Sequence, residues 1–243
     1  MSEHKNFENR NKIKIELMKK DATLKKLTHD WFLKGYDYEY SYHFKWLGRP
    51  IIQYPQDIIA LQEMIWDVKP DVIIETEIAR GGSLVFSASM LQLIGKGKVI
   101  GIDIDIREHN KKEIKKHPLN KRIKMIEGSS IDEKIIKKVF HMVKSTEKVL
   151  VILDSNHTHE HVLKELEAYS KLVTKGSYLI VFDTIIEELP EKIFAKKSWN
   201  KKHNPKTAVR LFLSKNKRFK VDKTVTDKLL ITAAPEGYLK CVK

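Results

Sequence analysis

The chain has 243 residues and 28.4 kDa, with 42% hydrophobic and 32% charged side chains, so it can bury a core and is too apolar for a disordered polymer. A single cysteine, Cys241, excludes an internal disulfide framework and any cysteine-based zinc cluster, and no run of about 18 apolar residues offers a membrane span. The net charge is +14, yet only seven of the 46 basic residues are arginine and the lysines are dispersed from Lys5 to Lys243. That dispersal favours a solvated basic surface over a nucleic-acid footprint, and it also suits an anionic small substrate or peripheral contact with an acidic membrane surface. The opening segment MSEHKNFENRNKIKIELMKK has no apolar h-region, so no secretory signal is read and a reducing cytoplasm is the expected compartment.

Residues 1–45 are expected to form an N-terminal helical arm. KIKIELMKKDATLKKLTHDWFLKGY has a helical scatter of apolar positions, and aromatics then crowd DYEYSYHFKW. The plain expectation for that stretch is packing over the main domain or across a subunit interface; a substrate-facing lid is the alternative. From residue 46 to 243 a single domain alternates strand-like and helix-like segments. PQDIIALQEMIWDVKP is a helix, DVIIETEI a strand, and GGSLVFSASMLQLIG a helix after a glycine turn. KVIGIDID, RIKMIEG, KVLVILDS and SYLIVFDT are further strands, separated by helices in REHNKKEIKKH, SSIDEKIIKKVFHMV and HTHEHVLKELEAYSKLV. The text after Glu187 is less regular until RFKVDKTV and KLLITAAPEGYLK, which read as an antiparallel strand pair added at a sheet edge. Strands apolar on both faces and separated by helices imply a Rossmann-like α/β fold with a mainly parallel sheet, whose chemistry sits at the carboxyl ends of the strands.

Those ends carry the candidate site. The first strand runs into Glu75-Thr76-Glu77-Ile78-Ala79-Arg80-Gly81-Gly82-Ser83, a glycine turn before a helix, where backbone can approach a ligand and the helix N-terminus favours an anion. It is not G-x-G-x-x-G. The second strand ends in Asp103, a carboxylate able to accept hydrogen bonds from both hydroxyls of a ribose. Gly128-Ser129-Ser130 follows the third strand and can supply groups near an adenine; Ser130 can equally cap the next helix, with Glu133 completing a capping box. Asp154 follows the fourth strand as a hard oxygen donor suited to Mg²⁺, and His157 can act as general base on a hydroxyl. His161 and Glu165 read as a solvated i, i+4 pair. Asp183, after the fifth strand, is expected beside Asp154, where two carboxylates can share one metal.

The blocks WLGRPIIQYPQDIIALQE, KPDVIIETEIARGGSL, VIGIDIDIR, IEGSSID, LDSNHTHEHVLKELEAY, GSYLIVFDT and PEGYLK resemble the cephalosporin hydroxylase family, in order, from about Trp46 to Lys240. The resemblance implies a class I S-adenosylmethionine-dependent methyltransferase fold and methyl transfer to a hydroxyl of a sugar or secondary metabolite. It implies that Glu75, Gly81, Gly82 and Ser83 face the methionine part of S-adenosylmethionine, the glycines making room for its body. Asp103 then matches the ribose acid, Ser129 and Ser130 the adenine side, and Asp154 and Asp183 the carboxylates of a Mg²⁺ site. A homo-oligomer is also implied. Trp31, Tyr36, Tyr38 and Tyr42 of the arm are placed to close the acceptor pocket. The chain departs from the family at Glu77, where glycine is usual, and at Phe182, where glutamate is usual. Both changes admit a catalytically weakened relative that binds a nucleoside-like ligand or supports a partner enzyme.

Overall fold

The computed structural model describes residues 3–243. Two helices, α1 (Glu3–Lys20) and α2 (Ala22–Tyr36), open the chain and break at Asp21, whose side chain caps α2 by accepting from the Leu24 N–H at 2.9 Å. Helix α1 buries no residue, whereas α2 buries Phe32, stacked on Tyr54 with ring centroids 4.9 Å apart. A short antiparallel hairpin follows, β1 (Phe44–Trp46) and β2 (Arg49–Ile51), closed by Leu47 and Gly48, both at positive φ. This hairpin was not expected from the aromatic stretch, and its first strand straddles the 45/46 boundary drawn from sequence.

Helices α3 (Pro55–Val68), α4 (Gly82–Ile94), α5 (Glu108–Lys116), α6 (Glu133–His141) and α7 (His159–Tyr169) alternate with strands β3 (Val72–Thr76), β4 (Lys98–Asp103), β5 (Ile123–Glu127), β6 (Val149–Leu153) and β7 (Tyr178–Val181). The chain closes with α8 (Pro205–Lys215), β8 (Phe219–Val221), α9 (Lys223–Leu229) and β9 (Tyr238–Cys241). The main sheet has the order β5-β4-β3-β6-β7-β9-β8. Strands β3 to β7 are parallel, and β9 runs antiparallel between β7 and β8. Both faces of β3 are covered: Ile73 joins the core layer beneath α3 and α4, while Val72 and Ile74 join the layer that holds Val162, Leu166, Val209 and Phe212 of α7 and α8. Among the described residues no helix is long and apolar enough to cross a membrane.

Three expectations are corrected. RFKV does pair with GYLKC at the far edge, but the intervening KTVTDKL is helix α9 and LITAAPE is loop, because Asp222 caps that helix through the Thr224 N–H at 3.2 Å. The stretch read as irregular contains α8, started by Pro205 and by a capping box in which Asn204 accepts from the Thr207 N–H. The cap of α6 is Asp132, not Ser130.

Candidate functional site

Register sets the rim. Thr76 pairs with Ile102 on one side and Leu153 on the other, and Leu153 pairs with Val181, so the residues that follow these strands emerge side by side. They open onto a cavity of about 540 Å³, within the range of small-molecule sites. Glu75, Glu77, Gly81, Gly82, Ser83, Asp154, His157 and Asp183 all line it, as do Gln53, Phe182 and Trp199. The structure therefore brings together most of the candidates read from sequence. Neither Glu77 nor Phe182 closes the space: Phe182 is buried in the wall and meets Tyr238 edge-on at 6.5 Å.

Glu75 is fully enclosed. A hydrogen bond from the Ser83 hydroxyl engages it, Oε2 has no partner, and burial pushes its carboxyl up to about 7. Glu77 has φ of 94°, a left-handed value that favours glycine, and its N–H donates to the Ile102 carbonyl at 2.7 Å. Its carboxyl is pushed up to about 8, by burial first and then by Asp103 and Asp183. Asp154 accepts from Gln53 Nε2 at 3.1 Å and is raised well above the usual carboxylate range by burial and by Asp183. Asp183 sits at φ 56° and places Oδ2 3.2 Å from His157 Nε2. The His157 ring meets Trp199 edge-on at 5.9 Å. The cavity lining thus holds four carboxyl groups and one imidazole, with Asp183 paired to the imidazole.

The glycine turn is also a packing device. A Cβ on Gly82 would lie 2.1 Å from the Pro50 carbonyl oxygen, and one on Gly81 would lie 2.4 Å from Ile114 Cδ1. The missing side chains make room for β2 and α5, while both glycines also line the cavity. Straps hold the loop: Asn110 Nδ2 donates to the Ala79 carbonyl at 2.8 Å, and Arg49 reaches both Asn110 Oδ1 at 3.0 Å and the Arg80 carbonyl. Asp103 belongs to the same arrangement. Its Oδ2 accepts from the Ile78 and Ala79 N–H groups at 3.0 and 3.1 Å, and Oδ1 accepts from the Asp105 N–H at 3.1 Å.

Asp103, Ser129 and Ser130 lie outside the cavity lining. Ser130 is buried, with Oγ 3.0 Å from His161 Nε2. The solvated-pair reading of His161 and Glu165 is overturned, because Glu165 is wholly buried. From the arm, Tyr36 and Tyr42 line the cavity and Trp31 and Tyr38 do not; Trp31 packs edge-on against Tyr40, and Tyr38 is exposed. Gln53 and Trp199 escaped the sequence reading. A tryptophan isolated among lysines in FAKKSWNKK was the available signal for the second, and a glutamine in a connecting loop offers none.

Among the described residues no three His, Cys, Asp or Glu side chains converge closely enough to hold a metal. Asp154 and Asp183 remain as a pair of hard oxygen donors.

The family model for rhamnosyl O-methyltransferase/CmcI matches residues 38–242. The chain belongs to that family. By family its class is that of the O-methyltransferases. The rhamnosyl O-methyltransferase of Mycobacterium leprae (strain TN) is 27% identical over 164 residues, 67% of this chain and 68% of that protein. The enzyme of the same name from Mycobacterium bovis (strain BCG / Pasteur 1173P2) is 29% identical over 141 residues, and the match spans about half of its length, 54%. Among solved structures, a CmcI structure with Mg and SAM is 19% identical with a TM-score of 0.57, covering 83% of this chain and 78% of that one. An O-methyltransferase from Bacillus cereus in complex with SAH is 16% identical with a TM-score of 0.52, covering 79% and 81%. These likenesses agree with the class I methyltransferase fold expected from sequence.

Proposed function

We propose that the protein transfers a methyl group from S-adenosylmethionine to a hydroxyl of a sugar or a related small metabolite, assisted by Mg²⁺ at Asp154 and Asp183. The observation that carries this reading is the acidic rim of the cavity, where Glu75, Asp154 and Asp183 share the lining with His157 and Asp183 lies 3.2 Å from its Nε2. The residues present fit a cationic cofactor. Glu75 has a buried oxygen without a partner, able to accept from an ammonium group, and the carboxylates beside it favour a sulfonium. Asp154 and Asp183 line the same cavity and lie near enough for Asp183 to raise Asp154, so the two carboxylates would hold an Mg²⁺ ion that keeps several waters. Bound together, the two would supply an activated methyl group and a positive charge that acidifies the acceptor hydroxyl.

The chain's own part is alignment and proton handling. Gln53 holds Asp154 in place, and Asp183 orients His157 and stabilises its imidazolium form. His157 takes the proton of the acceptor hydroxyl at Nδ1, because its Nε2–H is engaged by Asp183. Tyr36, Tyr42 and Trp199 wall the acceptor side and exclude water. The relatives named as rhamnosyl O-methyltransferases make a deoxyhexose the first acceptor to offer. Radiolabelled S-adenosylmethionine with rhamnosyl-bearing acceptors, with and without Mg²⁺, tests the reading; no methyl incorporation into any hydroxylated acceptor would overturn it. His157→Ala is expected to lower kcat at least about 100-fold with little change in cofactor affinity.

A second reading, a weakened relative that binds a nucleoside-like ligand or supports a partner enzyme, is favoured by Glu77, which lines the cavity at a φ of 94° that favours glycine. Calorimetry with S-adenosylhomocysteine, read beside the labelled-methyl assay, separates the two. Tight binding together with methyl transfer supports the enzyme, whereas binding without transfer, or binding that appears only with Glu77→Gly, supports the weakened form.

A further inference from the structure

Helix α7 carries a buried polar cluster that the proposed chemistry does not use. The Glu165 side chain is 0% exposed, Oε1 accepts from Ser155 Oγ at 2.7 Å, and Oε2 has no partner. One turn earlier, His161 points Nε2 at three oxygens: Ser130 Oγ at 3.0 Å, Ser155 Oγ at 3.2 Å and Glu165 Oε1 at 3.5 Å. One turn later, the buried Tyr169 donates its hydroxyl to the Ser130 carbonyl at 2.7 Å. A single helix face therefore grips two rim loops. One is the loop after β5, through both Ser130 atoms, and the other is the loop after β6, through the residue that follows Asp154.

A fully buried carboxylate with one unpartnered oxygen is an expensive way to hold a helix to a loop, since an apolar contact would do as well. Its value here is directional. The hydrogen bonds fix the distance between the Gly128–Ser130 loop and Asp154, and apolar packing would leave that spacing free to slide. Glu165 also contributes to the raised pKa values of Asp154 and Glu77, so its charge is felt at the rim.

We propose that His161, held by Glu165, is a positioning residue that ties the loop after β5 to Ser155 and so fixes the Asp154 side of the cavity rim on which the cofactor would bind. This rests on the S-adenosylmethionine reading above. His161 touches no reacting atom, so it acts on cofactor affinity and leaves the chemical step to His157 and the carboxylates.

The test measures S-adenosylhomocysteine binding by calorimetry, KM for S-adenosylmethionine, kcat and melting temperature on the full chain. His161→Ala is expected to weaken S-adenosylhomocysteine binding and raise KM about tenfold or more, with kcat within about threefold of wild type. His161→Gln, which keeps an N–H donor, is expected to recover most of the affinity. Tyr169→Phe, which frees the same loop from its other side, is expected to weaken affinity in the same direction. Two results would overturn the inference: wild-type affinity in His161→Ala, or a loss that follows the melting temperature and that His161→Gln does not restore. Failure of the wild type itself to bind S-adenosylhomocysteine would instead remove the cofactor reading, and this inference with it.

Discussion

Glu77 is costly to the folded chain in two ways: an L side chain at φ 94° and a carboxyl pushed up to about 8 by burial among other acids. The folded protein holds this proton more tightly than the unfolded chain, whose value is 4.5. The group's contribution to stability is therefore fully present below about 4.5 and is lost as pH rises through about 8. Glu77→Gly is expected to stabilise the protein, and by on the order of 1 kcal/mol more at pH 9 than at pH 5, read from denaturant unfolding at the two pH values. An equal gain at both would leave strain as the whole effect. Asp103→Ala is expected to cost about 1–3 kcal/mol, since three backbone N–H groups lose their acceptor. Much of this site was legible in the sequence. Glu75, Asp154 and Asp183 each come directly after apolar β-formers, so strand ends could be counted and their acids aligned. The partners of those acids were not legible. Gln53 lies 101 residues from Asp154, and the Asp103 carboxylate answers N–H groups 24 and 25 residues before it. No local pattern encodes such meetings.

Elements with a strong period were readable, and elements defined by their caps were not. The parallel strands announced themselves because both faces are buried, which leaves uninterrupted apolar runs such as VLVIL. Helix α8 was hidden by the lysines around it, although Asn204-Pro205 is a sound start signal; Asn204→Ala is expected to destabilise by about 1 kcal/mol in thermal or denaturant melts. Helix α9 was mistaken for strand because its Val and Thr content suits either state, and the Asp222 cap decided. The α4 start shows how closely elements can be set. Gly82→Ala would drive a methyl into the Pro50 backbone, which cannot rotate away as a side chain would. A loss of about 3 kcal/mol or more is expected, together with displacement of the β1–β2 hairpin, visible as a lower melting temperature and weaker cofactor binding.

At the scale of the molecule, the first helix adds little to the fold. Helix α1 buries nothing, and its ties to the rest include one half-buried ion pair between Lys19 and Asp227. Removal of residues 1–20 is expected to change unfolding free energy by less than about 2 kcal/mol, whereas removal through residue 42 takes away Phe32, Tyr36 and Tyr42 and should open the cavity. The other end of the chain behaves in the opposite way. Strand β9 is threaded between β7 and β8, and the Tyr238 hydroxyl donates to Asp57 Oδ1 at 2.6 Å across 181 residues. Thr232 and the Ala233 N–H complete the set of donors around that fully buried carboxylate. During synthesis on the ribosome, β7 must then wait as a naked edge, and Asp57 must wait without its donors, until residue 241 clears the exit tunnel. Nascent chains stalled before that point should be captured by chaperones and cut by proteases, and those released after it should resist both.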